Sequence, residues 1–541
     1  MSEIINPYIE KQGDLLKITP AGERYLENLV TSTSKNVYAF THNAPPKMVA
    51  AAMARVSRSP DGIREIYLNE MAGDPDRADA LIARVLADYG DDSVAQLHGI
   101  HFVVENCSKF ATKHIEWARI GTAYLERSSR YIFFDQKDAH GNFRYMTPPG
   151  LPQDIQTRFK ASLDLIFTLY SEIVRGITDY LRKTTSPPDQ SPKSISAWKA
   201  STRAQACDAA RGSLPLATTT AVGVYASTQA IESIIYHLMS QPQVECQQIG
   251  LQILEEVRKV AAPFFLRTDV PERGGAIVAH RIGVRKAFQR LAQLIPSSLY
   301  QGSDPVVLLD HFPKNELDIL ADMLMPHTHL QTQQLQEYIR VFWSDEEKIE
   351  AFRLYFGERL NRRHKPGRAL EWPHIKAEVV MSYAGFCDLQ RQRMVDTIEW
   401  QGSTPDLGYE TPNIISKAGF EAEYDKCFEL SEKLFTTLKK MGHEDASEYA
   451  TLYGHKMRHR VAFNARGAFH YLELRSAPQG HPEYRKITQL LYEHFCEAFP
   501  LTGKAMIFVN KNEDPGLTRL AGELAKQAKL SLLGYTPGEE E

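Results

Sequence analysis

Residues 464–485, with the sequence NARGAFHYLELRSAPQGHPEYR, hold the pattern from which the rest of the chain is best interpreted. From Asn464 to Arg475 most residues are good helix formers, and the span corresponds to roughly three helical turns. Asn464 and Arg475 then share one stripe of this helix. A proline and a glycine within 476–480 predict that the helix ends there and that His481 opens a new segment. Taken alone, this pattern is more typical of an amphipathic core helix than of a binding site.

The composition indicates a globular protein with more than one domain, because 541 residues exceed what one hydrophobic core usually supports. A formal net charge of -4 argues against a general surface for nucleic acid or anionic membranes, so small molecules are the expected partners. The six cysteines form no CxxC pair, which argues against a zinc site and predicts a reducing, cytoplasmic environment. No run of 18 apolar residues occurs, so neither a membrane span nor export is expected.

Strand and helix patterns alternate along the chain. Runs rich in β-branched and aromatic residues predict strands at residues 36–41, 98–106, 306–311, 374–382 and 505–509. Helical patterns lie between them, which predicts an α/β or α+β fold. The Pro/Ser-rich stretch 184–197 predicts an exposed loop or insertion, and the turn-rich segment 296–305 predicts a junction between two halves. No GxGxxG, P-loop, HExxH or GxSxG motif supports a common dinucleotide, nucleotide triphosphate, zinc protease or hydrolase site.

Three polar residues recur at alternate positions in ERSSRY, residues 126–131. In an extended backbone Glu126, Ser128 and Arg130 point to the same side. A guanidinium beside a hydroxyl suits an anionic ligand such as a phosphate. A charged edge strand explains the pattern equally well.

The two halves of the chain, residues 1–295 and 305–541, align weakly as an internal repeat. An offset of 273 pairs His101 with His374, and an offset of 237 applies to later helices. The first half carries Glu126, Ser128, Arg130 and Arg211, where the second half has Glu399, Gln401, Ser403 and Glu448. The second half carries Arg391, Asn464 and Arg475, where the first half has Ala118, Ser227 and Leu238. These complementary losses predict one composite site built from both halves, and chance similarity between helical segments is the alternative.

Several motifs, in this order, resemble those of the flavin-dependent thymidylate synthases in a tandem-fused form. In the first half they are Ala54-Arg55-Val56-Ser57, Glu126-x-Ser128-x-Arg130-Tyr131 and Arg211-x-x-Leu214-Pro215; in the second they are Arg391-Gln392-Arg393, the stretch Asn464 to Arg475, and Gln479 to Arg485. The family's RHR signature is intact in neither half, because Ala118-Arg119-Ile120 and Arg391-Gln392-Arg393 replace it. The string Arg458-His459-Arg460 lies outside the signature's position and is predicted to be a helix face.

The resemblance implies two copies of one unit, each a small mixed sheet with surrounding helices. It also implies methylation of dUMP to dTMP with methylenetetrahydrofolate as carbon donor, FAD as hydride carrier and NADPH as reductant. Other methylated pyrimidine nucleotides, or a noncatalytic protein that binds FAD or a nucleotide, are the alternatives. Because the family forms tetramers, a homodimer acting as a pseudo-tetramer is expected.

The resemblance also assigns roles to individual residues. Catalytic roles fall to Arg475, Ser128 and His374. Nucleotide binding is expected of Glu126, Ser128, Arg130, Arg211, Arg391 and Arg475, and FAD binding of Arg391, Arg393, Asn464, His470 and Gln479. No metal site is expected.

Overall fold

A computed structural model describes residues 6–13, 15–56, 58–72, 75–88, 93–296, 304–512 and 518–532. The chain forms two compact units. Unit 1 comprises Met1–Cys107, Ala111–Arg127 and Thr220–Ser297, and unit 2 comprises Ser108–Phe110, Ser128–Thr219 and Ser298–Glu541. Unit 2 therefore takes residues from both halves of the chain. Most of the predicted junction, residues 297–303, lies outside the described residues, as does Ser57 of the ARVS motif.

Nine strands and twenty-two α-helices are assigned in the described residues. The strands are β1 Ile9–Gln12, β2 Leu15–Ile18, β3 Gly99–Ser108, β4 Thr122–Glu126, β5 Thr219–Ser227, β6 Val306–Phe312, β7 His374–Ser382, β8 Thr397–Trp400 and β9 Lys456–Asn464. The helices are α1 Pro20–Leu26, α2 Pro46–Val56, α3 Ile63–Ile66, α4 Pro75–Asp88, α5 Ser93–Gln96, α6 Lys109–Ile115, α7 Gln153–Thr184, α8 Pro192–Ala210, α9 Thr228–Met239, α10 Val244–Ala261, α11 Ala276–Ala292, α12 Ile319–Leu324, α13 Thr332–Phe342, α14 Asp345–Phe356, α15 Tyr383–Gln390, α16 Asn413–Ala418, α17 Glu421–Lys440, α18 Glu444–Ser447, α19 Ala465–Arg475, α20 Pro482–Ala498, α21 Pro500–Lys504 and α22 Thr518–Leu532. None of the described helices is both long and apolar enough to cross a membrane.

Unit 1 is built on a three-stranded sheet with the order β3-β5-β4, in which β4 and β5 are antiparallel. In β5 alternate residues are buried, as the two-residue period of a strand requires. Ser227 ends this strand and caps α9, because its side chain accepts a hydrogen bond from the backbone N–H of Ala230. Helix α9 then buries Ile231, Ile234 and Leu238.

Unit 2 is built on a four-stranded sheet with the order β6-β7-β9-β8, and each neighbouring pair is antiparallel. In β7 the side chains of Ile375, Ala377, Val379 and Met381 alternate with more exposed ones and are at most 1% exposed. Helices α7 and α17 of this unit pack against each other. The α/β fold class, with small sheets and surrounding helices, is confirmed.

Several predicted elements are wrong in detail. Residues 36–41 form one isolated bridge, between Phe40 and Val30, and residues 505–509 form turns that follow α21. In the described part of the chain no strand pairs with either segment. The Pro/Ser-rich stretch is a loop only at residues 185–191, since α8 begins at Pro192 with Ser191 as its N-cap.

The string Arg458-His459-Arg460 lies on strand β9 rather than on a helix. Its two arginines project from one face and pair across the sheet with Glu378, at 3.3 Å, and Glu399, at 2.6 Å. The pattern was ambiguous because alternating basic residues suit a strand as well as a solvated helix.

Matching hydrogen bonds support the internal repeat. The N–H of Arg127 donates to the carbonyl of Ala221 at 2.9 Å, and the N–H of Gln401 donates to that of Arg458 at 3.0 Å. Gln401 lies 274 residues after Arg127, and Arg458 lies 237 residues after Ala221. The offset of 237 also pairs Ser227 with Asn464, and both cap the helix that follows.

The earlier offset is therefore 274 rather than 273. The strand pairing decides this, because a slip of one residue would turn each side chain to the other face of the sheet. With the corrected offset Arg391 is opposite Trp117 and not Ala118. At the start of β7 the N–H of Ala465 donates to the carbonyl of Pro373, as the N–H of Thr228 donates to that of His98, so His374 is opposite Gly99 and not His101. Ala118 becomes the counterpart of Gln392.

Within unit 2, backbone hydrogen bonds join segment 212–217 of the N-terminal half to segment 449–454 of the C-terminal half. The N–H of Leu216 donates to Thr451 and the N–H of Tyr453 donates to Leu214, both at 2.8 Å. At the centre Pro215 faces Leu452 in an antiparallel bridge. These two residues are 237 apart, so equivalent positions of the two repeats meet, as in a two-fold symmetric interface.

Candidate functional site

Arg130 lies in a turn rather than in an extended strand. Strand β4 ends at Glu126, and the N–H of Tyr131 donates to the carbonyl of Ser128 at 3.4 Å. The Ser128 hydroxyl accepts from the N–H of Arg130 at 3.2 Å. The prediction that Glu126, Ser128 and Arg130 share one side of a strand is therefore wrong, because the chain turns after Glu126.

The Arg130 guanidinium forms a two-pronged ion pair with Asp208 of α8. Nε and Nη2 donate to the two carboxylate oxygens at 2.9 and 3.1 Å, a geometry that fixes both planar groups. Nη1 donates to the hydroxyl of Tyr484 at 3.3 Å. Burial acts to lower the pKa of Arg130, but Asp208, Asp388 and Tyr484 together raise it above its ordinary value, so the guanidinium remains charged.

Arg211 follows α8 in a short 3-10 turn and is only 3% exposed. Its Nη2 donates to Asp388 Oδ2 at 3.0 Å and to the carbonyl of Ala384 at 3.3 Å. Its Nε is buried and has no hydrogen-bond partner among the residues that the structure describes. A buried N–H donor without an acceptor costs folding free energy. Such donors are often the groups that bind a ligand.

Arg475 ends α19 and lies close to Arg130. The two guanidinium carbons are 5.7 and 5.6 Å from the centre of the same Tyr484 ring. With its amide oxygen turned toward Arg475, Gln392 accepts hydrogen bonds from Nη2 and, at 2.6 Å, from Nε. An arginine from each half of the chain thus contacts one aromatic ring.

Asp388 on α15 lies among the three arginines. Burial acts to raise the pKa of Asp388, but the positive charges of Arg211, Arg130 and Arg475 together outweigh this effect. The pKa of Asp388 therefore lies far below its ordinary value. Asp388 is therefore ionised at any physiological pH. We call Arg130, Arg211 and Arg475 the arginine cluster. Asp388 lies at its centre, because all three charges act on its carboxylate.

His481 borders this cluster at the N-cap of α20, where its Nδ1 accepts from the N–H of Glu483 at 3.3 Å. Its Nε2 is 3.4 Å from the carbonyl oxygen of Asp208. Burial is the main cause that lowers the pKa of His481 to about 4, and Arg211 adds to it. The imidazole is therefore neutral near pH 7.

A cavity of ≈ 470 Å³ adjoins the cluster within unit 2, and its walls include Asp208, Arg211 and His481. This volume is typical of sites that bind small molecules. Glu483 also lines it and is held by Ser382, whose backbone N–H donates to one carboxylate oxygen at 2.5 Å. The cavity therefore combines cationic, anionic and neutral polar groups from both halves of the chain.

The predicted FAD-binding residues lie on and beside α19. The Asn464 oxygen accepts from the N–H of Gly467 at 2.7 Å, and its amide donates to Asp396 at 3.2 Å. His470 is half-buried; its pKa is lowered mainly by burial and then by Lys365, Arg362, Arg475 and Arg393 in turn. The backbone carbonyl of Gln479 accepts from Arg130 Nη2 at 3.4 Å. Arg391 lies at the C-terminal cap of α15.

Two predicted residues lie elsewhere. Glu126 is in unit 1, where it accepts from the Thr112 hydroxyl at 3.1 Å and from Lys113 at 3.3 Å. His374 is exposed at the start of β7, stacked at 5.7 Å on Phe312. The catalytic role assigned to His374 and the nucleotide-binding role assigned to Glu126 stay predictions.

Four residues of the site escaped the sequence interpretation: Asp208, Asp388, Gln392 and Tyr484. A signal for the two aspartates was present, because Asp208 precedes Arg211 by three residues and Asp388 precedes Arg391 by three. Such spacing places an acid and a base on one helical face. The observed pairs differ, since Asp208 binds Arg130 and Asp388 binds Arg211.

Comparison with known proteins gives relatives along nearly the whole chain. A protein described as UPF0159 protein from Chlamydia muridarum (strain MoPn / Nigg) is 30% identical over 96% of this chain and 100% of its own length. A protein of the same description from Chlamydia pneumoniae is 28% identical over 93% of this chain and 97% of its own. A crystal structure of the UMP/dUMP methylase PolB from Streptomyces cacaoi, bound with 5-Br dUMP, matches at 13% identity and a TM-score of 0.30, over 38% of this chain and 95% of that chain.

The family model described as thymidylate synthase complementing protein matches in two segments, residues 39–263 and 307–501. Together the segments cover more than half of the chain, and each lies in a different half. The protein therefore belongs to this family, the flavin-dependent thymidylate synthases, as a tandem fusion of two diverged copies.

Proposed function

We propose that this protein methylates C5 of the uracil ring of dUMP, with methylenetetrahydrofolate as the carbon donor. The observation that carries the proposal is the convergence of Arg130 and Arg211 with Arg475 around Asp388 and Tyr484. Family membership supports dUMP methylation as the type of reaction. The cluster joins residues of both halves, as a composite site requires.

Arg130, Arg211 and Ser128 are the proposed phosphate ligands. A guanidinium offers a fork of N–H donors that matches phosphate oxygens, and a serine hydroxyl adds a further donor. Arg211 Nε has a hydrogen available, because no described residue accepts it. The adjoining cavity would then receive the nucleotide.

Arg475 is proposed to hold the pyrimidine ring. Transfer of a one-carbon unit to C5 needs electron density at that carbon, which develops as negative charge spreads over the ring and its carbonyl oxygens. A fixed guanidinium stabilises such charge. Gln392 keeps the Arg475 guanidinium in place, so little reorganisation is needed when the charge appears.

The residues beside α19 fit a flavin dinucleotide. Four cationic side chains, Lys365, Arg362, Arg475 and Arg393, act on His470, and a diphosphate is a ligand that such a concentration of positive charge favours. Asn464, Arg391 and Gln479 are the proposed polar contacts. Bound reduced FAD would supply the hydride that converts the transferred methylene to a methyl group, and NADPH is the proposed reductant.

Assembly and domain division follow the same proposal. Residues 1–295 and 305–541 are the two proposed copies, and a homodimer of the fused chain would replace the tetramer of single-copy relatives. Light scattering of the purified protein tests this arrangement, with a mass of about twice the 61.3 kDa of one chain expected. A monomer at micromolar concentration would contradict it.

Release of tritium from 5-labelled dUMP tests the activity. With methylenetetrahydrofolate and NADPH present, a protein that carries the flavin absorbance band should release the label and form dTMP. Omission of the folate should stop dTMP formation. A protein with stoichiometric flavin that releases no label and forms no dTMP would refute the proposal.

A further inference from the structure

Both arginines proposed to bind the phosphate are already paired with carboxylates of the protein. Arg130 is held by Asp208, and Arg211 by Asp388. Among the arginine cluster and these two aspartates there are three positive and two negative charges. The proposed phosphate site therefore has much less net positive charge than its arginines suggest.

Asp388 differs from Asp208 in how it is held. Arg130 donates to both carboxylate oxygens of Asp208, whereas Arg211 donates to a single oxygen of Asp388, Oδ2. The Asp388 side chain is 13% exposed while that of Arg211 is 3% exposed. Asp388 is thus the less buried partner of this pair, so its carboxylate can rotate away from Arg211 when another anion takes its place.

The Arg211 guanidinium cannot turn away in the same manner. It is buried and also donates to the carbonyl of Ala384, which holds it in place. A phosphate that approaches Arg211 thus meets a cation that is fixed. The group that can move is the carboxylate of Asp388, which is paired with this cation. The carboxylate resembles a phosphate in charge and in its paired oxygens, so both compete for the same donors.

We propose that Asp388 competes with the phosphate of the nucleotide for Arg211 and so determines how strongly the site selects a phosphorylated ligand. This inference rests on the proposed function, because it takes Arg211 to be a phosphate ligand. Binding of the nucleotide replaces the Asp388 contact, and release of the product restores it. A nucleoside without phosphate leaves the contact intact.

Binding of three probes to the purified protein tests the inference: dUMP, inorganic phosphate and deoxyuridine, each by titration calorimetry. Asp388→Asn keeps the size of the side chain and removes its charge. We expect it to bind dUMP and inorganic phosphate about tenfold or more tightly than wild type, because a nearby like charge is gone. Affinity for deoxyuridine should stay within about twofold, since that ligand brings no competing anion.

Two further variants separate charge from shape. Asp388→Glu keeps the charge and should leave dUMP affinity near that of wild type. Glu399→Gln removes a carboxylate of the same charge on β8, where the Glu399 side chain is 63% exposed and paired with Arg460, and should change none of the affinities. If Asp388→Asn does not fold, Asp388→Ser carries the same expectation.

The outcomes distinguish this inference from the proposed function. If wild type binds dUMP and the uncharged variants bind it equally or more weakly, the competition is refuted while the proposed function stands. If folded wild type and variants all fail to bind dUMP and phosphate, the proposed function fails, and the inference fails with it. Tighter binding of dUMP and phosphate, with unchanged deoxyuridine affinity, supports the inference.

Discussion

Arg475 on α19 and Leu238 on α9 occupy equivalent positions in the two repeats. Both helices begin with a side-chain N-cap, yet the two residues have different roles. Arg475 contacts Gln392 and the Tyr484 ring, whereas Leu238 is fully buried. The counterpart of Gln392 is Ala118, so the arginine and its acceptor are absent together. The comparison shows that backbone pairing and capping preserved the repeat, while single side chains decided which copy supplies the polar groups.

A second pair of equivalent positions has diverged further. Arg211 is a buried cation paired with Asp388, while Glu448 accepts from the N–H of Ser403 at 2.7 Å. A cation and an acid at the same position cannot serve the same anionic ligand. Four sets of substitutions sharpen or break this contrast between the two repeats.

The largest effect is expected from Arg475→Ala or Arg130→Ala. Each removes a guanidinium from the cluster, and kcat/KM for dUMP should decrease about 10³-fold, equivalent to about 4 kcal/mol. Steady-state assays of dTMP formation measure this. Arg460→Ala is the matched control, since that guanidinium is exposed and pairs with Glu399 on the sheet. Normal dUMP turnover in either cluster variant would show that the two halves do not share a site.

Leu238→Ala should affect stability and not ligand binding. Leu238 is fully buried in α9, so its truncation leaves a cavity and should lower the free energy of unfolding by about 3 kcal/mol. Urea denaturation measures the loss. Leu251→Ala on α10, where the residue is 51% exposed, should cost far less. A dUMP affinity reduced by Leu238→Ala would contradict the view that this position is now purely structural.

Glu448→Gln should change the pH dependence of stability. Burial raises the pKa of Glu448 to about 7, above the ordinary value of 4.5. The folded protein therefore keeps a proton that the unfolded chain has lost, and wild-type stability decreases as pH rises from 4.5 to about 7. The variant should be more stable than wild type by about 2 kcal/mol at pH 8, with little difference near pH 5.

Thermal unfolding at several pH values measures the effect of Glu448→Gln. Glu444→Gln, at an exposed position of α18, is the control and should not alter the pH profile. Equal stabilisation at all pH values would show that Glu448 does not carry the raised pKa.

The smallest effect is expected from Asn464→Ser, which copies the cap of the other repeat. Serine caps a helix about as well as asparagine, so stability should change by no more than about 0.5 kcal/mol. Loss of the amide should lower flavin affinity about fivefold, which fluorescence titration measures. Ser227→Asn provides the reverse exchange and should leave flavin affinity unchanged. Unchanged affinity in Asn464→Ser would remove Asn464 from the proposed flavin contacts.

The features that the sequence predicted correctly are local ones. The helix from 465 to 475 begins at the Asn464 cap and ends before a Pro/Gly break, as predicted, because both signals lie within a few residues of the helix ends. The aspartate partners could not be predicted in this manner. Asp388 is 177 residues from Arg211, and the pairing depends on how the two halves pack.

Register was the other limit. A one-residue error in the offset between repeats assigned Arg391 to Ala118, and only the strand hydrogen bonds reveal that Gln392 is the counterpart. The turn at Ser128 was hidden for a related reason. Alternating polar residues predict a strand, yet β4 ends two residues earlier, where the chain passes from unit 1 to unit 2.

The short pairing in which Pro215 faces Leu452 affects how the protein behaves at low concentration and how mutations act on it. Since both strands belong to one polypeptide, their effective concentration is set by the chain and not by the amount of protein. A site that draws on both repeats stays complete at concentrations where separate subunits would dissociate, always in a ratio of one to one. In a symmetric dimer one mutation alters both subunits. In this chain a mutation at Glu448 alters one repeat only, so Arg211, at the equivalent position, can keep its interaction with an anion.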